Sequence, residues 1–180
     1  MLRQAIILAG GLGTRLGNIT KYTPKPLVKV NNRPFLEYLI TNIREQGVKN
    51  IILSVGYLAE QIIDYFGDGT SFNVTIEYVI ETEPAGTGGA LIFSKDKMDD
   101  NFFVVNGDTL FDINYYDLSM LHMKERAMAT IALREVDEIK RYGNVRLEGN
   151  KVTSFAEKRK LGQGIINGGI YAMQREALVY

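Results

Sequence analysis

The amino-acid sequence predicts an α/β protein with a mostly parallel sheet that is covered by helices on both faces. Three observations lead to this prediction: apolar runs of strand length alternate with helical apolar patterns, their connections are short, and glycines mark the ends of predicted helices. The apolar fraction of 46% and the charged fraction of 23% are typical of a globular domain, and 180 residues suffice for a sizeable core. We therefore expect a single domain.

Four strands separated by helices are predicted in the first part of the chain. The predicted strands cover residues 5–8, 51–55, 74–80 and 102–105. The first helix is predicted to have Asn32 as its N-cap and Pro34 in its first turn, and to end at Gly47. A second helix is predicted to end at Gly67, and a third to cover residues 87–97.

Strand patterns dominate the chain after about residue 126. They cover residues 129–133, 144–147, 152–155 and 165–173, with little helical pattern between them. We expect these strands to extend the sheet and to form the wall of a pocket. A last helix is predicted to begin near Gln174 and has fewer than two turns, too few to be stable alone, so we expect the natural domain to continue.

Composition excludes several classes of function. Lys and Arg together number 21, and Asp and Glu together also number 21. The chain therefore lacks the excess of basic residues that is typical of a nucleic-acid-binding protein. No segment approaches the roughly 20 apolar residues of a membrane helix, and the first apolar stretch is too short for a signal peptide. The lack of cysteine excludes disulfides and thiolate metal sites. We expect a soluble, cytoplasmic protein that binds neither nucleic acid nor membrane, and a homo-oligomer is compatible with these features.

A glycine-rich loop follows the first predicted strand. Gly10, Gly11 and Gly13 allow the backbone to turn several N–H groups towards one anion. Thr14 and Arg15 follow directly, and Arg15 adds a permanent positive charge to the loop. This combination predicts a phosphate-binding site.

The residues in and after this loop indicate which class of phosphate-binding site it forms. Lys25 lies between two prolines, which fix the backbone from which its side chain leaves. The dinucleotide fingerprint G-x-G-x-x-G is broken by Leu16, which disfavours a nicotinamide-dependent dehydrogenase. A Walker loop is excluded because Arg15 stands where that motif has lysine. We predict a nucleoside triphosphate site of another kind.

Acidic residues follow two of the later strands. Asp108 comes after the fourth predicted strand, at the edge where α/β sheets bind ligands, and is a candidate Mg²⁺ ligand or a cap of the next turn. Glu81 and Glu83 precede a second glycine-rich loop, in which Gly86 allows close approach to a flat ligand. These carboxylates could accept hydrogen bonds from a base with adjacent donors, such as guanine; the alternative is a solvated acidic loop. His122 is predicted to be a surface or core residue without a catalytic role.

Four ordered motifs resemble those of the sugar-1-phosphate nucleotidylyltransferases. They are L-A-G-G-x-G-T-R-L, P-K-P-L, E-P-x-G-T-G-G and N-G-D, and the similarity runs from Gln4 to the chain end. The resemblance implies a Rossmann-like, mixed but mainly parallel sheet with helices on both faces (the nucleotide-diphospho-sugar transferase fold), and a reaction that makes a nucleotide sugar and pyrophosphate. Within the family, the sequence looks most like guanylyltransferases that use GTP and D-glycero-α-D-manno-heptose 1-phosphate. Mannose-1-phosphate guanylyltransferases, uridylyl- or thymidylyltransferases and a non-catalytic nucleotide-binding subunit remain alternatives.

The resemblance also implies roles for individual residues. For nucleotide binding it implies Leu8, Gly10, Gly11, Gly13, Thr14, Arg15, Glu81, Gly86 and Thr87. For binding of the sugar phosphate it implies Asn106, Gly143, Glu157, Lys158 and Asn167. Arg15, Lys25 and Asp108 would be catalytic, with Arg15 and Lys25 on the phosphates and Asp108 holding Mg²⁺. Glu81 stands where uridylyl- and thymidylyl-transferring relatives tend to carry a glutamine.

The resemblance implies one domain over residues 1–180, with a nucleotide-binding half (1–125) and a sugar-phosphate-binding half (126–180). The family extends further, to a second metal-binding aspartate. We therefore expect the domain to lack its C-terminal part here, and the 180-residue chain alone to be inactive.

Overall fold

A six-stranded sheet forms the centre of the structure. The computed structural model describes residues 1–83, 86–137, 143–156 and 162–179, without the side chains of Arg15 and Val179. The strands are β1 (Gln4–Leu8), β2 (Lys29–Val30), β3 (Arg33–Pro34), β4 (Asn50–Val55), β5 (Thr75–Ile80), β6 (Asn101–Asn106), β7 (Ala129–Val136), β8 (Asn144–Glu148), β9 (Lys151–Ala156) and β10 (Gly164–Gln174). The α-helices are α1 (Phe35–Glu45), α2 (Ala59–Phe66), α3 (Gly86–Phe93) and α4 (Tyr115–Glu125). Short 3-10 helices cover Thr14–Lys21, Lys25–Leu27, Thr70–Phe72, Lys95–Lys97 and Arg175–Val179.

The sheet has the strand order β5-β4-β1-β6-β10-β7. Strands β5, β4, β1 and β6 run parallel to one another, whereas β10 runs antiparallel to both β6 and β7. The chain moves from β1 outwards through β4 and β5, and then returns to the other side of β1 to form β6. The predicted mixed, mainly parallel α/β fold is therefore confirmed, and the strand order reverses between β1 and β6.

Apolar side chains are buried on both faces of the sheet. Strand β1 illustrates this, because Ala5 and Ile7 pack on the face covered by α1, α2 and α4, whereas Ile6 packs on the opposite face with Leu91 of α3. A strand buried on both faces reads as a continuous apolar run, and this is why the central strands could be predicted. None of the helices described here is both long and apolar enough to cross a lipid bilayer.

The prediction that Asn32 caps the first helix is wrong. Asn31 and Asn32 have φ of 48° and 67° and form the two-residue turn of a small hairpin between β2 and β3. Hairpin turns of this kind need positive φ at both central positions, which asparagine tolerates better than most residues. The helix α1 starts only after this hairpin, with Pro34 in the cap position.

The predicted helix over residues 87–97 is shorter in the structure. The helix α3 ends at Phe93, and the chain tightens into a 3-10 turn there, with the amide of Ser94 donating to the carbonyl of Leu91 at 3.1 Å.

The strands after residue 126 belong to two different sheets. Strands β7 and β10 extend the sheet as predicted, but β8 and β9 pair with each other in a separate antiparallel hairpin. The ladder between β10 and β7 shifts register between Asn167 and Tyr171. A bulge of this kind bends a strand and redirects its side chains. The short terminal helix predicted near Gln174 is a 3-10 helix.

Candidate functional site

A cleft of about 520 Å³ opens at the carboxyl ends of β1 and β6. This is the point where the strand order reverses, and open α/β sheets bind ligands in the crevice that such a reversal creates. Most of the predicted site residues line the cleft: Leu8, Gly10, Gly11, Gly13, Thr14, Lys25, Glu81, Gly86, Thr87, Asn106 and Asp108. Residues from separate predicted motifs thus meet in one place.

Closely packed backbone surrounds the end of β1 and the start of the loop that follows it. A Cβ atom on Gly56 would lie 2.9 Å from the carbonyl oxygen of Gly10, and one on Gly107 would lie 2.6 Å from that of Leu8. The amide of Gly107 donates to the same Leu8 carbonyl at 2.9 Å. Only glycine fits at these two positions, so the ends of β4 and β6 can touch the loop after β1. The sequence reasoning missed Gly56, although a glycine just after a buried strand is a usable signal.

The glycine-rich loop continues into a 3-10 helix through Gly13. Gly13 has φ of 64°, in the left-handed region. The buried hydroxyl of Thr20 lies 3.1 Å from the carbonyl oxygen of Gly13 and 3.2 Å from that of Gly17. Thr20 therefore fixes the loop, and the sequence pattern gave no sign of this role. The side chain of Arg15 lies outside the described part of the structure.

Lys25 and Asp108 form an ion pair at the mouth of the cleft. The Lys25 Nζ atom lies 2.5 Å from Oδ2 of Asp108, and both side chains are partly exposed. Burial raises the pKa of the Asp108 carboxyl, but the hydrogen bond and charge of Lys25, with the Thr109 hydroxyl, outweigh it and hold the pKa below its usual value. Asp108 is therefore an anion at neutral pH.

This carboxylate fits a magnesium ion. Magnesium takes oxygen ligands and commonly shares one or two carboxylates with substrate phosphates. Asp108 supplies one ionised carboxylate beside the phosphate-type loop. Within the described ranges no cluster of three or more acidic or histidine side chains could hold a metal by itself. A cation here would therefore depend on oxygens of the bound substrate.

Glu81 lies at the opposite side of the cleft, directly after β5. Its Oε1 atom accepts a hydrogen bond from the hydroxyl of Ser54 at 2.8 Å, and its backbone amide donates to the carbonyl of Val55 at 2.7 Å. A Cβ atom on Gly10 would lie 2.5 Å from Oε1, so the carboxylate rests against the glycine-rich loop. Glu83 is exposed and is not part of the cleft wall that the structure describes. Of the two predicted base-contacting glutamates, the structure places Glu81 in the cleft.

Asn106 lines the cleft, but other residues that were predicted to bind the sugar phosphate do not. Asn167 and Gly143 do not line the described cleft. The amide of Asn167 donates to the hydroxyl of Tyr171 at 2.5 Å, and its carbonyl accepts from the amide of Gly169 at 2.9 Å. A Cβ atom on Gly169 would lie 2.8 Å from the amide nitrogen of Asn106, so this bulge of β10 touches the cleft through Asn106.

Glu157, Lys158 and His122 complete the residues considered from the sequence. Glu157 and Lys158 are outside the described residues. His122 is a fully buried residue of α4, as the core interpretation predicted, and its Nδ1 atom lies 2.9 Å from the hydroxyl of Thr130. Burial lowers the pKa of His122.

Known proteins are similar to this chain in sequence and in fold. The family model described as nucleotidyl transferase matches residues 4–180. The chain is similar to two proteins named D-glycero-alpha-D-manno-heptose 1-phosphate guanylyltransferase. The one from Campylobacter jejuni is 45% identical, over 96% of this chain and 76% of the relative, and the one from Aneurinibacillus thermoaerophilus is 41% identical, over 93% and 73%.

A solved structure shares the fold. The crystal structure of HddC from Yersinia pseudotuberculosis complexed with GMP-PN superimposes with a TM-score of 0.86 at 37% sequence identity. The match covers 97% of this chain and 78% of that one.

Proposed function

The chain belongs to the nucleotidyl transferase family and is a sugar-1-phosphate nucleotidyltransferase; from this premise we propose that its nucleotide is GTP and its acceptor D-glycero-α-D-manno-heptose 1-phosphate. The products are then a GDP-sugar and pyrophosphate. Two similar proteins carry this activity in their names, and a similar structure was solved with GMP-PN.

The position of Glu81 in the cleft is the observation that supports GTP as the nucleotide. Guanine presents a ring N–H next to an exocyclic amine, and an ionised carboxylate only accepts hydrogen bonds, so the two edges are complementary. Adenine presents an acceptor beside its amine, which a carboxylate repels. Glu81 stands against the glycine-rich loop, in a position to face the base while the loop faces the phosphates.

The reaction needs alignment and charge neutralisation but no protein nucleophile. A phosphate oxygen of the sugar 1-phosphate is already an anion and attacks the α-phosphorus of GTP in line. The new P–O bond forms as the bond from the α-phosphorus to the oxygen bridging it to the β-phosphorus breaks, and pyrophosphate leaves with that oxygen. Lys25 and the backbone N–H groups of the loop offset the repulsion between two polyanions, and we assign the same role to Arg15. Asp108 would hold a magnesium ion, which would supply further positive charge to the α-phosphate.

We assign the sugar phosphate to residues 126–180 and the nucleotide to residues 1–125. Asn106 stands between the two parts, because it lines the cleft and touches Gly169 of β10. Gly143, Glu157, Lys158 and Asn167 are the proposed contacts to the sugar phosphate. The heptose is proposed from the two similar proteins alone.

A matrix of four nucleoside triphosphates against heptose, mannose and glucose 1-phosphates, assayed with the full-length protein, tests the proposed reaction, with released pyrophosphate as the measurement. We expect the highest kcat/KM for GTP with the heptose substrate. A higher value for UTP or dTTP would refute the assignment of the base. GTP binding without pyrophosphate release would refute the proposed catalysis.

The substitution Glu81→Gln tests the base contact directly. Glutamine replaces one acceptor oxygen by a donor, so we expect GTP affinity to fall about 10- to 100-fold, the typical cost of losing a hydrogen bond to a charged group. The matched control is Glu83→Gln, which makes the same change in charge two residues away in an exposed position. Equal effects of both substitutions on the dissociation constant would contradict the role of Glu81.

A further inference from the structure

Ser54 is a polar residue in the apolar interior of the sheet. It lies near the end of β4, where its neighbours Leu53 and Val55 are buried, and it is itself fully buried. A buried hydroxyl requires a hydrogen-bond partner, since leaving it unpaired costs about 1–3 kcal/mol. The partner here is Oε1 of Glu81, 2.8 Å away on the adjacent strand end.

Three contacts hold Glu81 in one orientation. The carbonyl of Val55 fixes its backbone, the Ser54 hydroxyl fixes one carboxylate oxygen, and Gly10 lies so close on the loop side that an added Cβ atom would fall 2.5 Å from that oxygen. A free glutamate side chain loses substantial rotamer freedom when it binds a ligand. A carboxylate offers about four lone-pair sites, and one bond from Ser54 leaves the rest available to a base.

We propose that Ser54 is a positioning residue for base selection, which orients the Glu81 carboxylate to accept both the ring N–H and the exocyclic amine of guanine. This inference rests on the proposed function. Two simultaneous hydrogen bonds require a fixed carboxylate plane, whereas a single hydrogen bond tolerates rotation. The contribution of Ser54 is therefore specific to bases that carry both donors.

Calorimetric binding of GTP and ITP tests this role without relying on turnover, because the hypoxanthine base of ITP keeps the ring N–H and lacks the exocyclic amine. We expect Ser54→Ala to lower the ratio of GTP affinity to ITP affinity roughly tenfold. Ser54→Cys, which keeps the volume but offers only a weak donor, should also lower the ratio. Ser54→Thr retains the hydroxyl and should restore it.

The matched control is Ser119→Ala. Ser119 is also fully buried, and its hydroxyl accepts a hydrogen bond from the amide of Leu2 under α4, away from the residues that line the cleft. This control should leave the affinity ratio at the wild-type value even if it lowers the unfolding temperature as much as Ser54→Ala does.

The outcomes separate this inference from the proposed function. Equal wild-type affinities for GTP and ITP would overturn the proposed recognition of guanine by Glu81. A wild-type preference for GTP that persists unchanged in Ser54→Ala would overturn the role of Ser54 alone. Equal weakening of GTP and ITP binding in Ser54→Ala would likewise overturn it, since it would show a general structural effect.

Discussion

Gly10 connects the glycine-rich loop to the ends of two strands. Its backbone touches the ends of β4 and, through Glu81, of β5, so the glycine has a packing role besides its place in the phosphate-type loop. The sequence predicted Gly10 because three glycines follow a strand. It did not reveal Ser54, Gly56 or Thr20, whose roles depend on neighbours distant in sequence.

The substitution Gly10→Ala should displace the Glu81 carboxylate, because the new Cβ atom would lie 2.5 Å from Oε1. The side chain can move more easily than the loop, so we expect the fold to persist and GTP affinity to fall about tenfold. The measurement is the dissociation constant, with Gly88→Ala as the control. Gly88 is an exposed residue of α3 whose added Cβ would meet no described atom within 4 Å. Unchanged GTP binding in Gly10→Ala would show that Glu81 does not contact the base.

Lys25 is the lysine whose removal should damage catalysis most clearly. We expect Lys25→Ala to lower kcat about 10²–10³-fold, or roughly 2.7–4 kcal/mol, as for loss of one charge-stabilising contact in a transition state. Lys29→Ala is the control, because Lys29 is exposed on the nearby hairpin and outside the cleft wall. Near-normal pyrophosphate release by Lys25→Ala would contradict its proposed contact with the phosphates.

At the scale of elements, local patterns predicted most of the strands and helices but not the way they pair. The hairpin of β2 and β3 was missed because each strand has only two residues, too few to show alternation. The separate pairing of β8 with β9 could not be predicted either, since alternation identifies a strand without naming its partner. The gathering of Gly143 and Asn167 around the sugar phosphate stays a prediction for the same reason.

The contact between α4 and β7 predicts a dependence of stability on acid pH. His122 is buried, its Nε2 atom has no hydrogen-bond partner among the described residues, and burial lowers its pKa from about 6.5. The unfolded chain then binds more protons than the folded one, so stability is complete above about pH 6.5 and is lost as the pH falls below it. The stability lost through this one group is at most about 1.4 kcal/mol for each unit by which the pH falls.

Urea unfolding at pH 7.5 and pH 5.5 measures this effect. His122→Gln removes the titrating group while other ionisable groups stay in place, so the variant should lose less stability than the wild type on acidification. An identical loss in both proteins would show that His122 does not contribute.

At the scale of the whole molecule, the cleft arises from the order of the strands. The alternation of strands and helices predicted a parallel sheet, but the reversal of strand order between β1 and β6 is a property of the assembled sheet. That reversal explains why motifs as distant as Lys25 and Asp108 meet at 2.5 Å.

A cleft that joins several strand ends should stabilise the entire domain when occupied. At a GTP concentration 100-fold above the dissociation constant, binding to the folded state alone adds about 2.7 kcal/mol. For a domain of this size we expect a rise in unfolding temperature of about 5–11 °C. Differential scanning fluorimetry with GTP measures the shift, and UMP at the same concentration is the control. A shift of equal size with UMP would contradict selective GTP binding.

The close backbone contacts at Gly56 and Gly107 do not involve the side chains proposed to bind the base and the phosphates. Gly56 and Gly107 bring main chain against main chain, so neither position accepts a side chain unless a strand moves. Glu81 and Lys25, the side chains that we propose to bind the base and the phosphates, line the cleft and can be replaced one at a time. New substrate preferences can therefore arise on an unaltered scaffold, and a redesigned enzyme should start from these two side chains.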